Sequence, residues 1–285
     1  MSSQLSNVVF ILWRESVEAL LVIGILSAWL SQQDNPLSIT KGRRYLWAGV
    51  GAGLALALIF AAVLVVLGDS LPDDAQQIYQ AVTVLIASAL IVQMVFWMRR
   101  HGRTLKRDLE SALTKAASQE SWWSVFILAM IAVAREGSET AVFIYGTLSA
   151  GKNDSLLATL GAIALGAALA ACTYLLLQLG NRYLSWRVFF RMTEIMLLLL
   201  AGALLVTGID NLVSLDYLPA LSGRLWDTST ILPDRGIVGG LLASLTGYRA
   251  KPFGMEILVL ALYWLAIYFA IRAPSAPIKQ AIIAK

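Results

Sequence analysis

The sequence predicts an all-α, polytopic membrane protein of seven transmembrane helices, built as a 3+3 inverted repeat plus one C-terminal helix. Three observations predict it. Apolar residues make up 58% of the 285 and charged residues only 14%, with a mean hydropathy of +0.72; soluble domains lie nearer half apolar and a quarter charged. Seven apolar stretches are each long enough for a bilayer core of about 30 Å, which takes about 20 helical residues. One charged spelling, Arg-Glu-x-x-Glu, occurs inside the first of these stretches and again inside the fourth.

The first stretch, near 5–30, carries Arg14, Glu15 and Glu18 in its middle. No Lys or Arg precedes residue 14 and no A-x-A site follows, so it reads as a retained helix rather than a cleaved leader. Stretches near 45–67 and 76–98 complete a first three-helix unit, 1–98. A basic, helix-compatible segment, 99–121, leads into the second unit, 122–212, with stretches near 122–149, 155–180 and 188–212. The segment 213–252 contains WDTSTILPDRGIVGGLLASLTGY. Its Gly and Pro punctuation and short apolar run predict a partly helical external cap. The stretch 253–272 is the seventh helix, and the whole chain reads as one membrane domain, 1–285.

The formal charge of +4 does not point to nucleic acid, because of where the charges lie. Segments 31–44, 99–121 and 180–191, with the tail from Arg272, hold 15 of the 22 Lys and Arg. The N-terminus and segments 68–75, 150–154 and 213–252 hold 5, and Arg14 and Arg135 are the remaining two. Such asymmetry places the N-terminus outside and the C-terminus inside. A multi-pass plasma (cytoplasmic) membrane protein is expected, with the run RRHGRTLKRDLE against anionic lipid. Tryptophans such as Trp122 and Trp123 suit the membrane interface. A single cysteine, Cys172, falls within the fifth stretch, so neither an intrachain disulfide nor a thiolate cluster is available.

An internal repeat follows from the motifs. RESVE is followed by ALLVIGILSA, and REGSE by TAVFIYGTLSA. The second helix of each unit is rich in small residues, Gly49 and Gly53 with Ala55 and Ala57 in one, Ala162, Gly166 and Ala170 in the other. Small residues at four-residue spacing let membrane helices approach closely. Three helices per unit is an odd number, so the second unit is upside down relative to the first, an arrangement that puts transporter sites near the midplane.

Within each motif a 100° step per residue puts Glu15 beside Glu18, and Glu136 beside Glu139, on one face. Arg14 and Arg135 each stand four residues before a Glu and can pair with it. If the first and fourth helices cross, four carboxylates meet two arginines and the net charge is −2. Ionisable residues at this depth are costly and mark pathways; a lock of buried ion pairs between the two helices is the plainer alternative. Oxygen ligands select hard cations, here iron(III), manganese, magnesium or calcium. The single histidine, His101, lies in the basic segment, and Met192 with Met196 suits core filling.

These motifs, with VFWMRR at 95–100, VAREG at 133–137 and LTGYRAKP at 245–252, make the chain resemble the oxidase-linked ferric iron permease family over essentially its whole length. The resemblance implies a non-enzymatic importer of Fe(III) with no permanently bound cofactor. It maps the iron path onto Glu15, Glu18, Glu136 and Glu139, and it implies an extracytoplasmic ferroxidase, peroxidase or iron-binding protein as delivery partner. Arg14 and Arg135 would then hold the glutamates ionised, with Ser16 and Ser138 in support. Ser16 departs from the glycine frequent at that position in the family, but it is small enough to preserve close packing. The same architecture carrying manganese or lead is a rival, as is a non-transporting scaffold. A membrane di-iron oxidase is disfavoured, because no Glu-x-x-His pair exists.

Further acids are candidates for an inlet or outlet. Asp210, Asp216, Asp227 and Asp234 lie at or in the external loop, and Glu194 lies toward the cytoplasmic end of the sixth helix, three residues after Arg191, within reach of an i, i+3 pair. Acids in loops are usually simply solvated.

Overall fold

The computed structural model describes residues 3–31, 36–101, 122–149, 156–178, 186–233 and 237–272. Most of the basic segment (102–121) and Asp234 lie outside the described residues. The described residues form eight helices: α1 (Ser3–Ser31), α2 (Pro36–Ser70), α3 (Asp73–His101), α4 (Trp122–Ser149), α5 (Leu156–Gln178), α6 (Trp186–Ser214), α7 (Ile237–Thr246) and α8 (Gly254–Arg272).

Local chemistry sets several boundaries. Pro36 opens α2, where its missing N–H costs nothing. Leu71 and Pro72 break the chain between α2 and α3, and Asp73 and Asp74 then complement the α3 dipole. The α6 terminus is a Schellman turn: Tyr217 N–H donates to Leu212 O (3.0 Å) and Asp216 N–H to Val213 O (3.1 Å). Asp216 takes the left-handed position (φ 59°), which Asp tolerates better than most residues.

Five helical segments are long and apolar enough to cross a membrane: Ile39–Ser70, Asp73–Arg99, Leu157–Leu176, Arg191–Ser214 and Gly254–Arg272. α1 and α4, with 29 and 28 residues, have the length too. They fall short only in composition, because every 18-residue stretch of α1 contains Arg14, Glu15 and Glu18, and every such stretch of α4 contains Arg135, Glu136 and Glu139. The chain is a multi-pass membrane protein with an inverted distribution of polarity. Leu58, Val66, Leu157, Leu176 and Phe269 are exposed on its outside, whereas Arg14, Glu15 and Glu18 are buried. The short α7 lies in the 213–252 segment, as the Gly/Pro punctuation predicts.

Small residues set the main contacts. Gly49 lies on Phe126 and Ala129, Gly53 on Met130 and Val133, and Ala57 on Gly137, so α2 runs parallel to α4. Gly166 lies on Val9 and Leu12, and Ala170 packs with Val17, so α5 runs parallel to α1 in the same manner. Ala55, by contrast, faces outward. α1 and α4 run antiparallel, with Leu30 and Trp122 flanking Gly42 at one end and Leu5 and Val8 beside Ile144 and Leu148 at the other. α3 and α6 are antiparallel as well, joined by Ser88 Oγ donating to Ala201 O (2.7 Å) and by Arg99–Glu194. Exchanging α1–α3 with α4–α6 preserves the main pairings among the described residues: α2 on α4 becomes α5 on α1, and the α1–α4 and α3–α6 pairs map onto themselves, whereas the packing of α3 on α4 has no comparable counterpart between α6 and α1.

A Cβ at Gly53 would stand 2.6 Å from Met130 O and 2.9 Å from Val133 Cβ, whereas one at Gly51 meets nothing within 4 Å. Gly53→Leu is therefore expected to destabilise the protein by about 1–3 kcal/mol or more through overpacking. Gly51→Leu should leave it unharmed. Thermal unfolding of the two variants in detergent checks this, and equal unfolding temperatures would refute the close approach.

Candidate metal centre

The centre of the α1–α4 seam holds the two motifs. On α1, Asn7, Ile11, Arg14, Glu15 and Glu18 are spaced i, i+4, i+7, i+8 and i+11, which keeps them on one helical face. On α4, Glu136, Glu139, Phe143 and Thr147 do the same. The antiparallel register brings these faces together, and one carboxylate oxygen each from Glu15, Glu18 and Glu136 lie within 4.8 Å of one another.

The two motifs are not equivalent in their surroundings. Arg14 is buried and clamped by both of its own acids: its guanidinium meets Glu15 Oε1 at 2.8 Å and pairs with Glu18 Oε1. Arg135 is 38% exposed, donates to Glu139 Oε1 at 2.9 Å and stacks over the Trp97 ring of α3 at 4.3 Å. Glu136 enters none of the ion pairs among the described residues. Three carboxylate oxygens, Glu15 Oε2, Glu136 Oε2 and Glu139 Oε2, are buried with no hydrogen-bond partner. Counted as ionised, four carboxylates and two guanidinium groups carry a formal charge of −2 in a region lined by apolar side chains.

Two ligands on opposite sides of a calcium-sized ion held at 2.3–2.6 Å are about 4.6–5.2 Å apart, and on a smaller ion held at 2.0–2.1 Å about 4.0–4.2 Å. The three converging oxygens are on the scale of a calcium shell, and a smaller cation would draw them somewhat closer. Glu139 stays with Arg135 on the flank, one helical turn from Glu136. Ser138 is committed to its backbone, its hydroxyl donating to Arg135 O (2.8 Å), while Ser16 is half-buried beside Glu15. Gly137 lies against Ala57, which accounts for the glycine of the second motif.

Three of the outlying candidates have ion-pair partners of their own. Asp216 ends α6 through its backbone alone, and its side chain is exposed. Asp227 is exposed and accepts from Lys251 Nζ at 2.7 Å and from Ser229, and these hydrogen bonds, the lysine's above all, hold its carboxyl well below the usual carboxylate range. Its charge is thereby compensated, not offered. Glu194 pairs across helices with Arg99 at 2.6 Å, a partner its sequence neighbourhood does not suggest. Asp210 stands 4.0 Å from Arg249, which also donates to Thr207 Oγ1. It adjoins Glu256, a buried acid of α8 that the sequence reading passes over. Glu256 Oε2 accepts from Phe253 N–H at 3.2 Å, an N-terminal capping role. A lone acid in the otherwise apolar run GMEILVL was the available signal.

Comparison with known proteins then supplies the deciding observation. Residues 5–278 match the iron permease FTR1 family. The chain belongs to that family. It is 28% identical over 269 residues to the ferrous iron permease EfeU of Shigella sonnei (strain Ss046), covering 93% of this chain and 94% of the relative. The protein of the same name from Escherichia coli O157:H7 gives the same figures. That from Yersinia pestis is 25% identical over 256 residues, 89% and 88% of the two chains. No solved structure matches this chain. Membership fits an iron permease rather than an enzyme.

Proposed function

We propose that this permease imports iron across the plasma membrane through the cluster of Glu15, Glu18, Glu136 and Glu139. The observation that carries the reading is the convergence of three carboxylate oxygens from two helices within 4.8 Å, inside a membrane bundle. Hydration is stripped from an ion at this depth, and carboxylates are the replacement a hard cation accepts. Arg14 and Arg135 keep the acids ionised and turned inward until the cation competes for them. In this reading all seven long helices cross the bilayer, with the N-terminus outside and the C-terminus inside. α1–α3 and α4–α6 form two inverted units, and the site lies on their shared axis. The antiparallel α1–α4 pair and the exchange symmetry of the packing support that arrangement.

The all-oxygen donor set favours Fe(III), delivered by an extracytoplasmic oxidase or iron-binding protein. Fe(II) is the second reading, favoured by two observations: the relatives are named ferrous iron permeases, and a divalent ion would neutralise the −2 of the cluster. Influx of radioactive iron into liposomes holding the purified protein tests both. Fe(III)–citrate is supplied to one set and ascorbate-reduced iron to the other, each with a competing panel of manganese and lead. Transport of iron in one oxidation state and not the other decides between the readings; preference for manganese or lead would overturn iron as cargo.

A further inference from the structure

One helical turn beyond Ile11 and Phe143, on the side away from the glutamates, the same two faces carry Asn7 and Thr147. Both are almost wholly buried, at 3% and 2% exposure. Asn7 Nδ2 donates to the Ser244 carbonyl of α7 at 3.1 Å, which settles the orientation of the amide. Asn7 Oδ1 is left without a partner, and so is Thr147 Oγ1. The hydroxyl is unusual for this bundle: Thr83, Thr140, Thr173, Thr207 and Thr246 all turn back to the carbonyl four residues earlier, and Thr147 does not. Between this pair and the carboxylates stand Ile11 and Phe143, both fully buried in one apolar cluster.

We propose that Asn7 and Thr147 form a second oxygen site, about 12 Å along the seam from Glu15, where a partly hydrated metal cation pauses on its way to the glutamates. The inference rests on the iron-import reading. By the charge asymmetry of the loops this site lies on the external side. Two neutral oxygens replace part of a hydration shell without trapping the ion, as a staging position requires. The Ile11–Phe143 layer separates staging from binding, so the cation advances only when that layer parts.

The test is iron influx into liposomes holding the full-length protein, with unfolding temperature measured alongside. Thr147→Val removes only the hydroxyl, and is expected to lower influx at sub-saturating iron about tenfold, the loss of one modest ligand, with less effect at saturation. Thr147→Ser should retain influx, and Asn7→Leu with Thr147→Val should be little worse than either alone. If Thr147→Val does not fold, Asn7→Leu supplies the comparison. Wild-type influx in Thr147→Val with a raised unfolding temperature would overturn the outer site, as the behaviour of a merely unsatisfied hydroxyl. In that case a dead Glu136→Gln in the same series shows that the iron reading survives; a wild type that moves no iron overturns both.

Discussion

Glu136→Gln is expected to reduce iron influx by about 100-fold or more while leaving the protein folded and inserted. Outer partners of metal ligands commonly cost 10–100-fold when removed, so loss of a direct ligand sets at least the upper end of that range. Gln keeps the shape of the side chain but replaces one carboxylate oxygen with a donor that repels a cation. Glu136 is the cleanest position for the test because no arginine depends on it among the described ion pairs. Glu15→Gln should give a similar loss of transport, and Arg14 would still hold Glu18. Glu139→Gln differs, since it releases Arg135 from a partly exposed pair. The measurement is influx set against membrane yield and unfolding temperature. Near-normal influx in folded Glu136→Gln and Glu15→Gln protein would exclude the cluster as the iron path.

Much of this was legible in the sequence because its signals are periodic and local. Apolar stretch length anticipates seven long helices to within a few residues at most boundaries. α2 begins at Pro36, well before the expected residue 45, because Lys41, Arg43 and Arg44 are good helix formers and the helix continues past the apolar limit. Four-residue spacing of small residues anticipates which faces of α2 and α5 are packed, although Ala55 is turned away. The motif spacing anticipates the carboxylate face of each helix.

What stayed hidden depends on register between helices, which no local pattern encodes. Arg99 reaches Glu194 only because α3 and α6 are antiparallel at a particular offset. The inequality of the motifs is of the same kind: the spellings RESVE and REGSE are nearly alike, yet Arg14 is enclosed while Arg135 leans on Trp97 at the edge. Asn7 and Thr147 carry no charge and no motif, so each looks ordinary until the opposing helix is in place. Asp216 and Asp227 read as collectors of cations by residue type alone; the fold adds a lysine partner for Asp227 and a helix-ending backbone position for Asp216.

That inequality between the motifs leads to the second large effect. Arg14→Leu is expected to destabilise the protein by about 3–5 kcal/mol, the cost of breaking a buried pair and leaving its partner charge uncompensated. Two carboxylates, Glu15 and Glu18, lose their counter-ion at once in a site with almost no exposure. Arg135→Leu should be far milder, because a pair at 38% exposure contributes about 0–1 kcal/mol and its stacking on Trp97 about as much again. Unfolding in detergent should therefore rank Arg14→Leu well below Arg135→Leu. Adding Glu15→Gln and Glu18→Gln to Arg14→Leu should restore much of the stability, since the orphaned charges are gone, yet iron influx should remain absent. Recovery of both together would mean the acids serve only to neutralise the arginine, and the motif would then be a structural lock. Recovery of stability without transport separates the two roles: the arginine makes the carboxylates tolerable inside the bundle, and the carboxylates are what the metal needs.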